Sequence, residues 1–343
     1  MTSHDELIDA LVRNDRSGAT QTLARDELVA ALDLAARYAR IEQQVLGSAK
    51  VAYSPTSLQA KSHTEDDALA MGEFIATSER GRLGLPAGPI LEPWRLIEEQ
   101  GIKVLPRRFP PQYSGGFFFD DTLGPCILVQ VDGSDSALHY SLAHQYAHWL
   151  LDYDPYITTL CGWPSGMSVE DTLEQRAHHA GLALLMPRSD LELYRNALDT
   201  GGGDTLQPEL IRQLSVYFEL DPEQILWRLM TLGWVDAAGL AAVLEQDAGL
   251  GAPQSTLRRR DDATLLPERF VRLVARAFGS GSLDLETAAH FLGTDFAGAE
   301  RILSQFDYDA PATRGAKQAT GAGRPKSKRG PNGNGGDSAH AQP

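Results

Sequence analysis

Two histidines four residues apart, His144 and His148 in the run SLAHQYAHWLL, are the first residues in the chain whose spacing could do chemistry. On a helix, side chains at i and i+4 leave the same face one turn apart, so two imidazoles can grip one metal ion. In the metallopeptidase pattern H-E-x-x-H both histidines bind zinc, and the glutamate is the general base for the zinc-bound water. Here Gln145 holds the glutamate's position. An H-x-x-x-H pair alone suits two partly buried core histidines equally well, so the case for a metal rests on a third ligand. Glu174 offers one. It shares a helix face with His178, and the 25 residues between His148 and Glu174 leave room for an antiparallel helix hairpin.

Two segments resemble the ImmA/IrrE-type zinc metallopeptidases. SLAHQYAHWLL is similar to their T-L-A-H-E-x-x-H-x-L-L segment, and EQRAHHAGLALLMP to their E-x-x-A-N-x-F-A-x-x-L-L-M-P segment. Glu174, Ala177, Leu184, Leu185, Met186 and Pro187 match in register, while His178 and Ala180 replace the usual Asn and Phe. The upstream run GLPAGPILEPWRLIEEQGIKVL and the downstream LSVYFELDPEQILWRLMTLGW extend the likeness over about residues 68 to 235. The resemblance implies a gluzincin-like domain with His144, His148 and Glu174 as zinc ligands. It also implies a partner protein, a transcriptional repressor that family members cleave under stress or on induction of a mobile element. The general-base position falls on Gln145, and an amide takes up no proton near neutral pH. Losing a general base typically costs about 10²–10⁴-fold in rate. Three readings are open: a natural pseudopeptidase, which is preferred; an active zinc endopeptidase with a substitute base among Glu170, Asp171, His178 and His179; or an introduced inactivating change.

The elements that must position these residues follow from periodicity. Residues 26–46 read as an amphipathic helix, and EDDALAMGEFIATSERGRLGLP as a second one ending near Gly84 and Pro86. A short helix before Gly101 leads to strand Ile102–Leu105 and two further strands, SGGFFFDD and CILVQVDG. The His144 helix starts after Ser134 or Asp135, either of which suits an N-cap. The Glu174 helix ends at Pro187. Two short helices flank a turn at Glu219–Pro222, and a last helical block spans Pro267 to Phe306. The expected class is α+β: a mostly helical zincin-like domain with a small three-stranded sheet, followed by a helical C-terminal region. The expected organisation is a helical N-terminal extension and linker (1–64), the metallopeptidase-like domain (65–238) with a helix-turn-helix-like segment at 206–235, a helical region (239–310), and a basic disordered tail (311–343).

Composition narrows the function classes. Apolar residues at 42% and charged residues at 22% suit a chain that buries a core. No run of 18 apolar residues offers a membrane span, and the polar, acidic start has no signal-peptide core, so a cytoplasmic location is expected. The tail from Pro311 contains no Val, Ile, Leu, Met or aromatic residue, too little apolar surface to offset its ordering entropy. The net charge of −15 divides into +5 on this tail and −20 on the remainder. Such a body repels nucleic acid, leaving DNA binding through the 210–233 helices and the tail as the weaker alternative. Residues 1–50 are too short and too acidic for a repressor-type helix-turn-helix. Of the two cysteines, Cys126 reads as an inert strand residue. Cys161 reads first as a loop or core residue, and second as a redox reporter or fourth metal contact.

Overall fold

The structure, a computed structural model, describes residues 3–17, 25–47, 65–152, 158–163, 171–198, 207–251 and 265–306. The predicted linker before residue 65, the tail beyond 310, most of the Gly249–Arg260 connector and Glu170 lie outside the described residues.

The organising element is a four-stranded sheet. Its strands are β1 (Lys103–Arg107), β2 (Tyr113–Asp120), β3 (Gly124–Gln130) and β4 (Thr159–Gly162), in the order β1-β3-β2-β4. Strands β2 and β3 form an antiparallel hairpin; β1 pairs parallel with β3, and β4 antiparallel with β2. The α+β class is as expected, but the sheet has one strand more than the three predicted. Four residues of TLCG are too few to show an alternating pattern.

Both faces of the sheet are buried, which is why FFF and CILV read as continuous apolar runs. Val104, Phe117, Ile127 and Val129 enter one core, and Leu105, Phe118, Cys126 and Leu128 the other. The first core is covered by α3 (Glu65–Leu83), α4 (Pro93–Glu99), α5 (Asp135–Asp152), α6 (Thr172–Leu185), α8 (Pro208–Phe218) and α9 (Pro222–Thr231). From Tyr140 to Asp152 every residue of α5 is buried, as is α6 from Glu174 onward. A helix enclosed on all sides belongs to the centre of a domain. Ser134 is the N-cap of α5, its hydroxyl accepting from the Ala137 N–H at 2.9 Å.

The second core joins the described N-terminal helices to the 265–306 block. Helices α1 (His4–Arg13) and α2 (Arg25–Leu46) pack with α11 (Glu268–Gly279), α12 (Leu285–Leu292) and α13 (Phe296–Leu303) on the far face of the sheet. Helix α1 falls in the extension expected to be helical, and Ser3 and Glu6 form a full capping box at its start. Absent from the sequence reading was α7 (Arg188–Leu198); α10 (Ala237–Gln246) follows α9.

Polar groups tie the two layers together. Glu98 on α4 accepts from the Tyr38 hydroxyl of α2 at 3.0 Å and from the Arg269 N–H of α11 at 3.2 Å. Burial pushes the Glu98 carboxyl up to about 7, the two hydrogen bonds only partly opposing it. A carboxyl raised in the folded state stabilises fully below its unfolded value, near 4.5, and loses that contribution as pH climbs to 7. Glu98→Gln is therefore expected to raise the melting temperature at pH 8, by an amount corresponding to about 1–3 kcal/mol, and to change it little at pH 4.5. Thermal melts of both proteins across this range check it; equal shifts at both pH values would exclude the linkage.

Candidate metal centre

Three elements converge beneath the sheet. Helix α5 supplies His144 and His148, one turn apart as their spacing predicts. Helix α6 supplies Glu174 from its first turn, where Asp171 is the N-cap and accepts from the Glu174 N–H at 3.3 Å. Strand β4 supplies Cys161. Its neighbour Leu160 points into the far core, so alternation turns Cys161 toward α5.

Glycines set the closeness of these elements. A Cβ on Gly181 of α6 would stand 3.0 Å from the His144 nitrogen and 3.1 Å from its Cα, so the two helices touch backbone to backbone there. A Cβ on Gly115 of β2 would stand 2.4 Å from the Leu128 carbonyl oxygen and 3.3 Å from Gln145 Cγ, which lets α5 lie directly against the sheet.

The resulting cluster is tight. His144 Nε2 lies 3.2 Å from His148 Nε2 and 3.2 Å from Glu174 Oε2. His148 Nε2 lies 3.4 Å from Glu174 Oε1 and 3.4 Å from Cys161 Sγ, and Sγ is 3.6 Å from Glu174 Oε1. One donor atom from each of the four residues falls within 4.8 Å of all the others, and all four residues are buried. Donors around a tetrahedral zinc, with bonds of about 2.0–2.3 Å, stand roughly 3.3–3.7 Å apart. Two imidazole nitrogens, a carboxylate and a thiol at these separations are a donor set that fits a divalent transition metal.

The surroundings orient the ligand atoms inward. His148 Nδ1 meets Asp152 Oδ2 at 2.7 Å, and Asp152 also pairs with Arg176. His144 Nδ1 lies 3.4 Å from the Tyr140 hydroxyl. Partners on the outer ring nitrogens leave both Nε2 atoms for the centre, as metal-binding histidines require. Burial pushes the His148 imidazole down, but Cys161, Glu174 and Asp152 outweigh it and hold the ring well above its usual value. Burial likewise raises Glu174, and the two histidines more than reverse this, holding its carboxyl low. Burial and Glu174 raise the Cys161 thiol, yet both imidazoles bring it below its ordinary value.

Gln145 is fully buried beside the cluster, its Oε1 3.6 Å from Cys161 Sγ, and its Nε2 has no hydrogen-bond partner. Of the predicted substitute bases, Asp171 is occupied by its cap and by an ion pair with Arg16 at 2.6 Å. His178 meets the Tyr140 hydroxyl at 2.8 Å and packs edge-on against Trp227. Burial next to His179 and His144 holds His178 well below its usual value. His179 lies at the crossing of α6 and α3, where a Cβ on Gly72 would stand 2.7 Å from its own. Neither histidine belongs to the four-residue cluster.

Residues 97–230 match the family model of Peptidase_M78, the IrrE N-terminal-like domain. No curated protein matches the chain. The domain begins within α4, ends within α9 and includes the whole cluster, so it carries a metallopeptidase-like fold around a group compatible with metal binding. Sequence reasoning ranked Cys161 behind a plain core role, and it did not name Asp152. The signal for Asp152 was present: 144, 148 and 152 form one i, i+4, i+8 stripe.

The backbone contact at Gly181 makes a stability prediction that needs no metal. Gly181→Val must push α6 off α5, and is expected to cost about 2–3 kcal/mol, read as a lower urea midpoint. A midpoint within error of the parent would show that the helices can separate freely.

Proposed function

We propose that the IrrE N-terminal-like domain holds a zinc ion through His144, His148 and Glu174, with Cys161 as a fourth ligand. In this reading the chain is a metallopeptidase-like regulator. It binds a partner protein, a transcriptional repressor in a stress or mobile-element response, and turns it over weakly or not at all. The observation that carries the reading is the Cys161 thiol inside the ligand group, next to an amide where a peptidase needs a carboxylate.

Two consequences follow from the residues. A bound zinc would supply Lewis acidity, but four protein ligands complete a tetrahedral site, the pattern of structural rather than catalytic centres. Gln145 can donate and accept hydrogen bonds yet takes up no proton near neutral pH. Each change alone opposes hydrolysis, and together they leave a site suited to holding the fold. The family resemblance supports a repressor as the partner.

Metal content and spectra test the centre. Protein purified without chelator is expected to carry one zinc per chain. Its cobalt-substituted form is expected to show a thiolate-to-cobalt charge-transfer band in the near ultraviolet, lost in Cys161→Ser. Cobalt bound without that band would remove Cys161 from the ligand set, and no bound metal at all would remove the centre. Turnover is a separate readout. Hydrolysis of fluorescein-casein is expected to be at background for the parent and for Gln145→Glu alone. In the double variant Gln145→Glu, Cys161→Ser it is expected to rise by about 10²-fold or more. Chelator-sensitive hydrolysis by the parent as fast as that of the double variant would overturn the assignment.

A further inference from the structure

A cavity of about 570 Å³ opens on the far side of the sheet, between α2, the end of β1 and the α12–α13 turn. Four arginines line it: Arg37 from α2, Arg107 and Arg108 from β1 and the residue after it, and Arg301 from α13. Glu27 is the single acidic residue of the described lining. Leu34, Leu292 and Ile302 form an apolar wall beside them.

This charge is unusual in a chain with 46 acidic and 31 basic residues. Arg108 pairs with Asp132 at 3.3 Å. Among the described residues, Arg37, Arg107 and Arg301 have no carboxylate within ion-pair distance. Arg37 donates to the Phe291 carbonyl at 2.5 Å, and Arg107 to the Ala30 carbonyl, so both forks are fixed in place. Gly293, at a φ of +67°, admits the Arg37 guanidinium; a Cβ there would stand 2.9 Å from Nη1. The Arg107 Nε is buried without a hydrogen-bond partner. A buried guanidinium donor left unpaired is costly, and the fork it belongs to lines the cavity.

We propose that this cavity binds a small molecule bearing a diphosphate or triphosphate group. Guanidinium forks match phosphate oxygens in pairs, and several converging on one cavity favour more than one negative charge. The volume lies within the range of small-molecule sites, and the apolar wall accommodates a ring attached to the phosphates. The cavity lies on the opposite face of the sheet from the His144 cluster, and most of its lining is outside the 97–230 domain, so the proposal does not rest on a metal.

Calorimetry on the full chain with ATP, ADP, pyrophosphate and inorganic phosphate as probes tests it. ATP or pyrophosphate is expected to bind at one site and to raise the melting temperature. Arg301→Gln, an exposed change, is expected to weaken binding about tenfold or more while leaving the circular dichroism unchanged. Arg107→Lys, which keeps the charge but loses the fork, is expected to do the same. No heat from any of the four probes at millimolar concentration would overturn the proposal. Binding indifferent to both variants, or phosphate binding as tightly as ATP, would reduce the site to an adventitious anion only and overturn it equally.

Discussion

Four polar donors are confined together in the buried layer between the sheet and helices α5 and α6. His144, His148, Cys161 and Glu174 are each at most 2% exposed, and their donor atoms share a space narrower than 4.8 Å. Burying even one unpaired charge costs several kcal/mol, on the order of 5 or more. Such a cluster persists only if its charges neutralise one another or a cation does so. Glu174 and Cys161 face both imidazoles and hold the two rings above their usual values against the opposing effect of burial. A divalent cation would favour the deprotonated form of all four donors instead.

That confinement dictates the packing around it. The donors meet only because α5 and α6 touch at Gly181, and because the Gly115–Gly116 stretch of β2 lets α5 lie against the sheet. Strand β4 is held at the edge by β2 and by residues 14–16, which exchange backbone hydrogen bonds with Leu160. Arg16 then reaches Asp171, the cap of the Glu174 helix. The N-terminal segment thus fastens two of the three elements that carry the cluster. This is a concrete role for residues that lie ahead of the family domain.

What was legible in the sequence was whatever repeats within a turn or two. The i, i+4 spacing of His144 and His148, the carboxylate opening the next helix, the β2–β3 hairpin and the Ser134 cap rest on local rules, and the structure places each accordingly. Cys161 was harder to read, because its position depends on an edge strand of four residues paired with a strand some 45 residues earlier in the chain. The joining of α1 and α2 to α11–α13 was not legible either. Leu28, Leu32 and Phe270 announce burial, but nothing in their spacing says that they share one core. The arginine cavity escaped for the same reason: its four cations come from three separate stretches of the chain.

Gln145 and Cys161 are best understood together. The amide oxygen lies 3.6 Å from the sulfur, and the amide nitrogen has no partner of its own. Exchanging the two amide atoms by a half-turn about the side chain is nearly isosteric and would aim a donor at the sulfur. A glutamate in the same place would instead set a carboxylate against a thiolate, with Glu174 already adjacent. Three anions in one dry pocket are more than a divalent cation and two neutral imidazoles can balance, and the thiol would then be driven to keep its proton. An amide at 145 adds no charge beside the Cys161 sulfur, whose thiol the two imidazoles already hold below its ordinary value. On the proposed reading, that sulfur is the fourth protein donor and takes the place that a reacting group would need.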